Sequence, residues 1–403
     1  ITRFCAAPAR RWSRPFPKRC SAGSRPRPPA PSRGSRPAWS RGLRNAGRPG
    51  AVSTRRAGTA GRRNRRSGAC GPTRSSTEAR ETTMAGHGYE GGRLDLPFVG
   101  VATFAKRPLA TDWSALSADA AVLGAPFDAG TQFRAGARFG PRAIREASTL
   151  FSFGHAAAYD HEEDREFLGP EVRIVDAGDA DIVHTDTLAS HANIERGVRA
   201  ILGAGALPVV LGGDHSVNIP CVAAFEGRGP IHVLQIDAHL DFVDERHGVR
   251  FGHGNPMRRA AERHFVTGLT QIGIRNVSST AKEGYEAARA MGADILSVRQ
   301  ARALGAAGAA ARLPAGARVY VTIDIDAFCP SVAPGTGTPS HGGFLYYEVL
   351  ELLRAVAYAH DIVGIDLVEV APDYDPSQST QILAAQLLLN LLGFVFDARA
   401  RGA

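Results

Sequence analysis

Cysteine is scarce in this sequence, and its placement excludes a disulfide framework. The chain has five cysteines in 403 residues, and none of them forms a Cys-X-X-Cys pair. An odd, sparse count of this kind is not typical of a disulfide-stapled secreted domain. We therefore expect the protein to work in a reducing compartment, the cytoplasm.

Long apolar runs are also absent. No segment reaches the roughly 18 consecutive apolar residues of a transmembrane helix. The N-terminus has no apolar stretch of about 7–15 residues followed by a small-residue cleavage site, so a secretory signal is not supported. The sequence therefore predicts no membrane partner.

Acidic residues are almost missing from the first part of the chain. Residues 1–83 hold 21 of the 48 lysines and arginines but only two acids, for a net charge of +19. Residues 84–403 hold the other 27 basic and 37 acidic residues, for a net charge of −10. The overall charge of +9 would suggest nucleic acid, but it belongs to one segment attached to an acidic protein.

The basic segment, residues 1–83, is rich in Arg, Pro, Ser and Gly and has almost no apolar periodicity, which predicts disorder. A transit peptide, a nucleic-acid-binding arm and a reading frame extended upstream of the true start would each give such a segment. The first methionine is Met84, where the composition becomes ordinary. We favour the third explanation and expect the native protein to start at Met84, with one catalytic domain over residues 84–403.

From about residue 119, short apolar runs alternate with amphipathic stretches. This alternation predicts a parallel sheet with helices on both faces, a three-layer α/β/α fold. The predicted strands are Ala120–Phe127, Val172–Ala177, Leu207–Leu211, Ile231–Asp237, Leu269–Ile274, Asp294–Val298, Val319–Asp326 and Ile362–Glu369. The predicted helices are Ala189–Leu202, Ile219–Phe225, Pro256–His264, Ala281–Met291, Tyr346–Ala359 and Thr380–Phe396. The Ala/Gly-rich stretch Ala301–Ala317 predicts a loosely packed surface helix and turn.

Acids and histidines gather at three of the predicted strand ends. They are Asp214 and His215, then Asp237, His239 and Asp241, then Asp324 and Asp326. Alternate residues of an extended chain share a face, and a cluster of carboxylates without lysine or arginine is costly unless a cation neutralises it. Carboxylates with two imidazoles and no thiolate suit Mn²⁺ better than structural zinc. Six such ligands suit two ions about 3.5–4 Å apart that activate a bridging water. Asp214 alone is equally consistent with a helix cap.

These segments resemble the ureohydrolase family of arginases, agmatinases and related guanidino-acid hydrolases. The resemblance is carried by Gly-Gly-Asp-His-Ser at 212–216, Asp-Ala-His-Leu-Asp at 237–241, Ile-Asp-Ile-Asp-Ala at 323–327 and Asp-Leu-Val-Glu-Val at 366–370. It continues through Arg-Phe-Gly-Pro-Arg at 138–142 and Ala-Pro-Gly-Thr-Gly-Thr-Pro at 333–339. The resemblance implies an arginase-like fold with a central parallel eight-stranded sheet, two Mn²⁺ ions, urea release from a guanidinium group, and homo-oligomers, either trimers or hexamers.

Residue roles follow from the resemblance position by position. The implied metal ligands are His215, Asp237, His239, Asp241, Asp324 and Asp326. The implied catalytic residues are His253, which relays a proton, and Glu369, which pairs with the guanidinium. The Gly-rich turn at 335–339 lacks the Lys of a phosphate-binding loop, so we expect it to shape the site wall. The family usually has Asp where this chain has Cys329, and the effect of that substitution stays open.

The loop between Asp241 and His253 bears on the substrate. It lacks the Asn and Ser that arginases use for the amino-acid end of arginine, and the overall pattern is more similar to agmatinases. We therefore expect agmatine to be cleaved to putrescine and urea, with Asp244 or Glu245 meeting its ammonium group. The alternative is a guanidino acid, as in guanidinobutyrase or guanidinopropionase, or formiminoglutamate, with Arg246 or Arg250 meeting a carboxylate. The alternatives of a different class are a basic-arm nucleic-acid binder, which rests only on residues 1–83, and a metal-binding protein without catalysis.

Overall fold

Eight parallel strands make up the central sheet of the computed structural model, which describes residues 96–151 and 157–402. Two short strands form a separate antiparallel hairpin. In chain order the strands are β1 Ala120–Ala125, β2 Ala158–Asp160, β3 Arg165–Phe167, β4 Ile174–Asp179, β5 Leu207–Gly212, β6 Ile231–Ile236, β7 Val266–Ile272, β8 Ala293–Leu296, β9 Arg318–Asp324 and β10 Asp361–Val368. Every predicted strand is confirmed; the β2–β3 hairpin was not predicted.

The order of strands across the sheet is β4-β1-β5-β10-β9-β6-β7-β8. Four strands, β5, β10, β9 and β6, are therefore neighbours in its middle. Because all eight run parallel, their carboxyl ends meet at one edge, where ligands of α/β sheets bind. The three strand ends that carry the acids and histidines belong to β5, β6 and β9, and Glu369 follows the fourth central strand, β10.

In the described part of the chain, eight α-helices cover the sheet. They are α1 Gly140–Ser148, α2 Thr187–Gly203, α3 Asn218–Ala223, α4 Pro256–Ala261, α5 Lys282–Ala290, α6 Val298–Ala310, α7 Tyr346–Ala359 and α8 Ser379–Ala400. Helices α1, α6, α7 and α8 pack on one face with Val122, while α2 to α5 pack on the other with Ala121 and Leu123. Successive residues of β1 thus enter opposite cores, as the two-residue period of a strand requires. The three-layer α/β/α prediction is confirmed.

Two helices differ from the sequence prediction. Helix α1 was not predicted, because its one large apolar residue, Ile144, gives little periodicity. The stretch predicted as a loose surface helix and turn overlaps α6, which starts earlier, at a capping box of Ser297 and Gln300. A helix at the surface is confirmed, since residues 302–305 are exposed. Its small residues Ala301 and Ala309 are buried in the core beside α7. The expectation of loose packing was wrong, because alanine allows two helices to approach closely.

Helix α8 is the one helix of the described residues that is long and apolar enough to cross a membrane. Its mean hydropathy over the most apolar window is 1.6, but 67% of that window is buried inside the protein. It packs against α1 and α7, so its apolar surface is accounted for by the protein core.

The N-terminal predictions lie outside the described residues. These are the disorder of residues 1–83 and the start at Met84. The division of the chain at residue 84 therefore stays a prediction.

Candidate active site

The turn after β5 carries His215 into the site. Gly213 allows the chain to turn here, because a Cβ at this position would lie 1.7 Å from the carbonyl oxygen of Phe127. Asp214 caps the short turn that follows: its Oδ1 accepts a hydrogen bond from the amide of Ser216 at 2.9 Å. Its Oδ2 accepts another from the amide of Gly130 at 2.7 Å. Asp214 is therefore a cap and a loop anchor rather than a member of the metal clusters.

His215 lies among three carboxylates from the central strand ends. Its Nδ1 is 3.1 Å from Asp237 Oδ2, 3.0 Å from Asp241 Oδ2 and 3.3 Å from Asp324 Oδ2. His215, Asp237 and Asp324 are buried, and Asp241 is nearly so. The backbone of Asp241 has a φ of 51°, a left-handed conformation that costs a non-glycine residue on the order of 1 kcal/mol.

A second cluster adjoins the first and shares Asp237 with it. His239 Nδ1 is 2.9 Å from Asp326 Oδ2 and 3.7 Å from Asp237 Oδ1. Asp237 thus turns one oxygen to each histidine. All six predicted metal ligands are brought together at the carboxyl ends of the central strands, in two adjacent groups.

The concentration of carboxylates shifts the pKa values of this region. Burial, followed by the charges of Asp241 and Asp326, raises the pKa of Asp237 to about 7. The charge of Asp326 is the main cause that raises the pKa of His239 to about 11. Burial alone would lower the pKa of His215, but its three carboxylate neighbours outweigh burial and raise it well above the ordinary value. In the absence of a metal, protons held by these side chains neutralise part of the negative charge of the cluster.

The side chains of this cluster fit two divalent cations. Nδ1 of His215 is buried and makes no hydrogen bond of acceptable geometry despite three oxygens within 3.3 Å. Two sets of donor atoms each lie within 4.8 Å of one another, namely His215, Asp237 and Asp324, and Asp237, His239 and Asp326. Such sets, mostly oxygen with one imidazole each and no thiolate, suit Mn²⁺.

Glu369 follows β10 and stands beside the first cluster. Its Oε1 accepts a hydrogen bond from the amide of His215 at 3.0 Å and lies 3.0 Å from Nδ1 of His253. Its Oε2 is buried and has no hydrogen-bond partner. The residue has a φ of 63°, a strained conformation of the kind found at functional sites. An unpartnered carboxylate oxygen in the pocket is free to bind a cationic group.

His253 is positioned from two sides. Its amide donates to the carbonyl of Gly130 at 3.2 Å, and its Nε2 lies 3.3 Å from the amide nitrogen of Gln132. Burial lowers the pKa of His253, but the hydrogen bond and the charge of Glu369 outweigh burial and raise it to about 9. The two residues predicted as catalytic therefore form a contacting pair above the metal cluster.

The mouth of the pocket is lined by four loops, two of which, those of Gln132 and of Ser279 and Thr280, the sequence did not point to. Gln132, Ser279, Thr280 and Thr338 line it together with Arg246. They come from four separate loops, so no spacing pattern links them in the sequence. Thr338 belongs to the predicted wall turn, and its hydroxyl donates to Asp326 at 3.2 Å.

Arg246 lies inside the pocket, whereas the acids next to it in sequence lie outside the pocket. Arg246 lines the pocket, where its Nη1 donates to Oε1 of Gln132 at 2.5 Å. Asp244 is held outside by Arg250 at 2.8 Å and by Arg259 at 2.5 Å. Glu245 is exposed and is not among the residues lining the pocket. Arg246 is thus the only Lys or Arg lining the pocket within the described ranges.

Cys329 belongs to neither ligand set of the described residues. Hydrogen bonds with Ser331 and with the amides of Gly342 and Gly343 lower the pKa of its thiol. The substitution for the family's usual Asp is accommodated in a loop that follows Asp326.

Comparison with known proteins settles the family. The arginase family matches residues 118–393 of this chain. The chain belongs to the arginase family. A guanidinopropionase of Pseudomonas aeruginosa is 37% identical over 317 residues, which cover 76% of this chain and 95% of that protein. A mitochondrial agmatinase of Gallus gallus is 35% identical over 300 residues, 73% of this chain and 85% of that protein.

The arginase-family fold is also found among solved structures. The proclavaminate amidino hydrolase of Streptomyces clavuligerus matches with a TM-score of 0.69 at 34% identity, over 75% of this chain and 99% of that chain. The predicted ureohydrolase resemblance is therefore confirmed, and the protein is a hydrolase of guanidino compounds. The arginase family depends on a binuclear metal centre, usually of Mn²⁺, and the described residues contain two adjacent His/Asp clusters that could each hold a metal ion.

Proposed function

We propose that this arginase-family protein hydrolyses a guanidino carboxylic acid to urea and an amino acid, with two Mn²⁺ ions. The observation that carries the proposal is the charge arrangement of the pocket: carboxylates at the floor and the guanidinium of Arg246 at the mouth. A substrate with a guanidinium at one end and a carboxylate at the other complements both. The guanidinopropionase relative is consistent with this choice.

The six metal ligands would be His215, Asp237, His239, Asp241, Asp324 and Asp326. When bound, the ions lower the pKa of a shared water and so supply a nucleophile near neutral pH. The donor set favours Mn²⁺.

Glu369 would bind the substrate guanidinium through Oε2, because this oxygen is buried in the site and lacks another partner. A charge-assisted hydrogen bond there holds the guanidinium carbon in place for attack. Water adds to that carbon, and the bond to the substituted nitrogen breaks. His253 donates a proton to the leaving amine. The attacking water releases one proton, which returns His253 to its protonated form.

Agmatine, the substrate expected from the sequence motifs, is the second candidate. The agmatinase relative at 35% identity favours it. Its distal ammonium would require an acid at the mouth, but Asp244 is held by Arg250 and Arg259. Arg246 would repel the ammonium, so the pocket charge favours the acid over agmatine.

The reaction is tested by measuring urea release from the chain with and without Mn²⁺. The substrates are 3-guanidinopropionate, 4-guanidinobutyrate, agmatine, arginine and formiminoglutamate, the last followed by formamide release. We expect Mn²⁺-dependent urea from a guanidino acid. No urea from any guanidino compound, with both metals shown to be bound, would contradict the proposed reaction.

We also propose a homo-oligomer, a trimer or hexamer, that works in the cytoplasm. Large exposed apolar side chains support the oligomer: Phe98 is 85% exposed, Phe133 75% and Val277 fully exposed. Cys221 and Cys329 are free thiols, which is consistent with a reducing compartment. Light scattering of the purified protein tests the oligomeric state, and cell fractionation tests the cytoplasmic location.

A further inference from the structure

A buried carboxylate that touches no predicted metal ligand lies below the metal cluster. Asp366, on β10, is fully buried. Its Oδ2 accepts hydrogen bonds from the hydroxyl of Tyr320 at 2.7 Å and from the side-chain amide of Asn218 at 2.8 Å. Its Oδ1 accepts one from the hydroxyl of Thr322 at 2.5 Å. Three donors directed at one buried side chain suit an ionised carboxylate.

Thr322 connects this carboxylate to the metal cluster. It is the direct partner of Asp366 in the parallel register of β9 and β10. Its Oγ1 lies 2.9 Å from Nε2 of His215. Thr322 and Asp366 lie on the adjacent strands β9 and β10, and His215 lies in the turn that follows β5, the other neighbour of β10. The register of the sheet therefore sets the spacing of the first two, and the turn after β5 brings His215 to them.

The hydroxyl of Thr322 can donate only one hydrogen. Because that hydrogen is used for Asp366, the oxygen can only accept from His215, so Nε2 of His215 must carry a hydrogen. The lone pair available for a cation is then on Nδ1, the atom that faces Asp237, Asp241 and Asp324. A carboxylate behind a metal-ligating histidine is a known way to fix ring orientation and raise metal affinity; here a threonine stands between them.

We propose that Asp366 is a positioning residue for the metal centre: acting through Thr322, it fixes the ring orientation and tautomer of His215 so that Nδ1 faces the cations. The inference rests on the metal-dependent part of the proposed function and is independent of the substrate. The test measures metal affinity alone. The role of Asp366 can therefore be disproved while urea release is retained, and the proposed substrate can be disproved while the role of Asp366 stands.

The experiment compares Mn²⁺ dissociation constants of the full chain, measured by calorimetry, for Thr322→Val, Asp366→Asn and the double variant. Thr322→Val keeps the side-chain shape and removes the hydroxyl. We expect each single variant to bind Mn²⁺ about 10–100-fold more weakly. The double variant should bind no more weakly than the worse single variant, because both changes break the same relay.

Two control variants separate the relay from general packing. Thr322→Ser retains the hydroxyl and should bind Mn²⁺ with nearly wild-type affinity. Tyr320→Phe removes a different partner of Asp366 and leaves the relay intact, so its affinity should fall less than that of Thr322→Val. Thermal unfolding of the metal-free variants reports whether each is folded.

Three results would overturn the proposal. The first is wild-type affinity in a folded Thr322→Val variant. The second is a loss in Thr322→Val with none in Asp366→Asn. The third is additive losses in the double variant, which would mean that Thr322 and Asp366 act independently.

Discussion

The floor and the mouth of the catalytic pocket are built from different parts of the fold. At the floor, Asp237 and Asp324 follow or end central strands and are almost fully buried. At the mouth, Gln132 and Arg246 lie on loops, with Gln132 exposed and Arg246 half-buried. Strand ends of a packed sheet fix side chains closely, whereas loops on a rigid scaffold vary. We therefore propose that the floor carries out the reaction on the guanidinium and that the mouth selects which guanidino compound is bound.

The largest effect is expected at the residue that both metal clusters share. Asp237→Asn should lose both ions and lower urea release by at least about 10³-fold, because the nucleophile depends on them. Metal content and urea release are measured together. Asp244→Asn is the matched control: it makes the same change on an acid held outside the pocket. Full metal content in Asp237→Asn would contradict the shared-ligand geometry.

Glu369→Gln separates substrate binding from metal binding on the same floor. The variant should keep its metals and lose about 10²–10³-fold in kcat/KM, because the charge that pairs with the guanidinium is gone. Metal content by mass spectrometry and steady-state kinetics check both parts. Loss of the metals would show that Glu369 acts through the cluster instead.

At the mouth, Arg246→Gln should lower kcat/KM for 4-guanidinobutyrate by about 10–100-fold, since a charged hydrogen bond contributes about 1.5–3 kcal/mol. Activity on agmatine should not fall, because agmatine has no carboxylate to lose. Arg250→Gln is the control four positions away, on an arginine paired with Asp244 and Glu262. Equal losses of kcat/KM in the two variants would contradict a specific contact of Arg246 with the substrate and would show that only the overall charge of the loop matters.

The pH dependence of metal binding tests the electrostatics of the floor. In the metal-free protein the pKa of His239 is about 11, so its imidazole is protonated at neutral pH. Binding must release that proton, and Mn²⁺ affinity should therefore rise with pH, about tenfold per unit for each proton released. As pH falls through about 7, protonation of Asp237 should weaken binding further. Calorimetry in buffers of different ionisation enthalpy counts the protons; affinity independent of pH would contradict this picture.

The same division explains what could be predicted from the sequence. Asp237, His239 and Asp241 follow a clear strand, so a shared site at the end of that strand could be predicted from local pattern. The predicted reason, alternation along an extended chain, was wrong, because β6 ends at Ile236, the chain then bends, and Asp241 is left-handed.

Arg246 and Arg250 could not be told apart, because a turn with positive φ at His247 and Gly248 separates their directions. The turn itself is local, since Arg246 and Val249 exchange two backbone hydrogen bonds. What the local pattern does not carry is the placement of the Arg246 side chain, which contacts Gln132 and Ser279 of two other loops.

Two further features depended on packing between distant segments. The buried position of Ala309 follows from the approach of α6 to α7, which the composition of α6 alone does not indicate. The relay from Asp366 to His215 depends on strand register across β10 and β9. A motif places Asp366 near Glu369 in sequence, but only the register shows that its partner is Thr322.

The most direct test of the proposed specificity is the ratio of kcat/KM for 4-guanidinobutyrate to that for agmatine, measured with Mn²⁺. The two compounds have the same guanidinium and four carbons each and differ in the distal charge. A mouth built around Arg246 predicts a ratio above about 10, corresponding to a preference of about 1.4 kcal/mol. A ratio below one would contradict it and would mean that the mouth recognises an ammonium group.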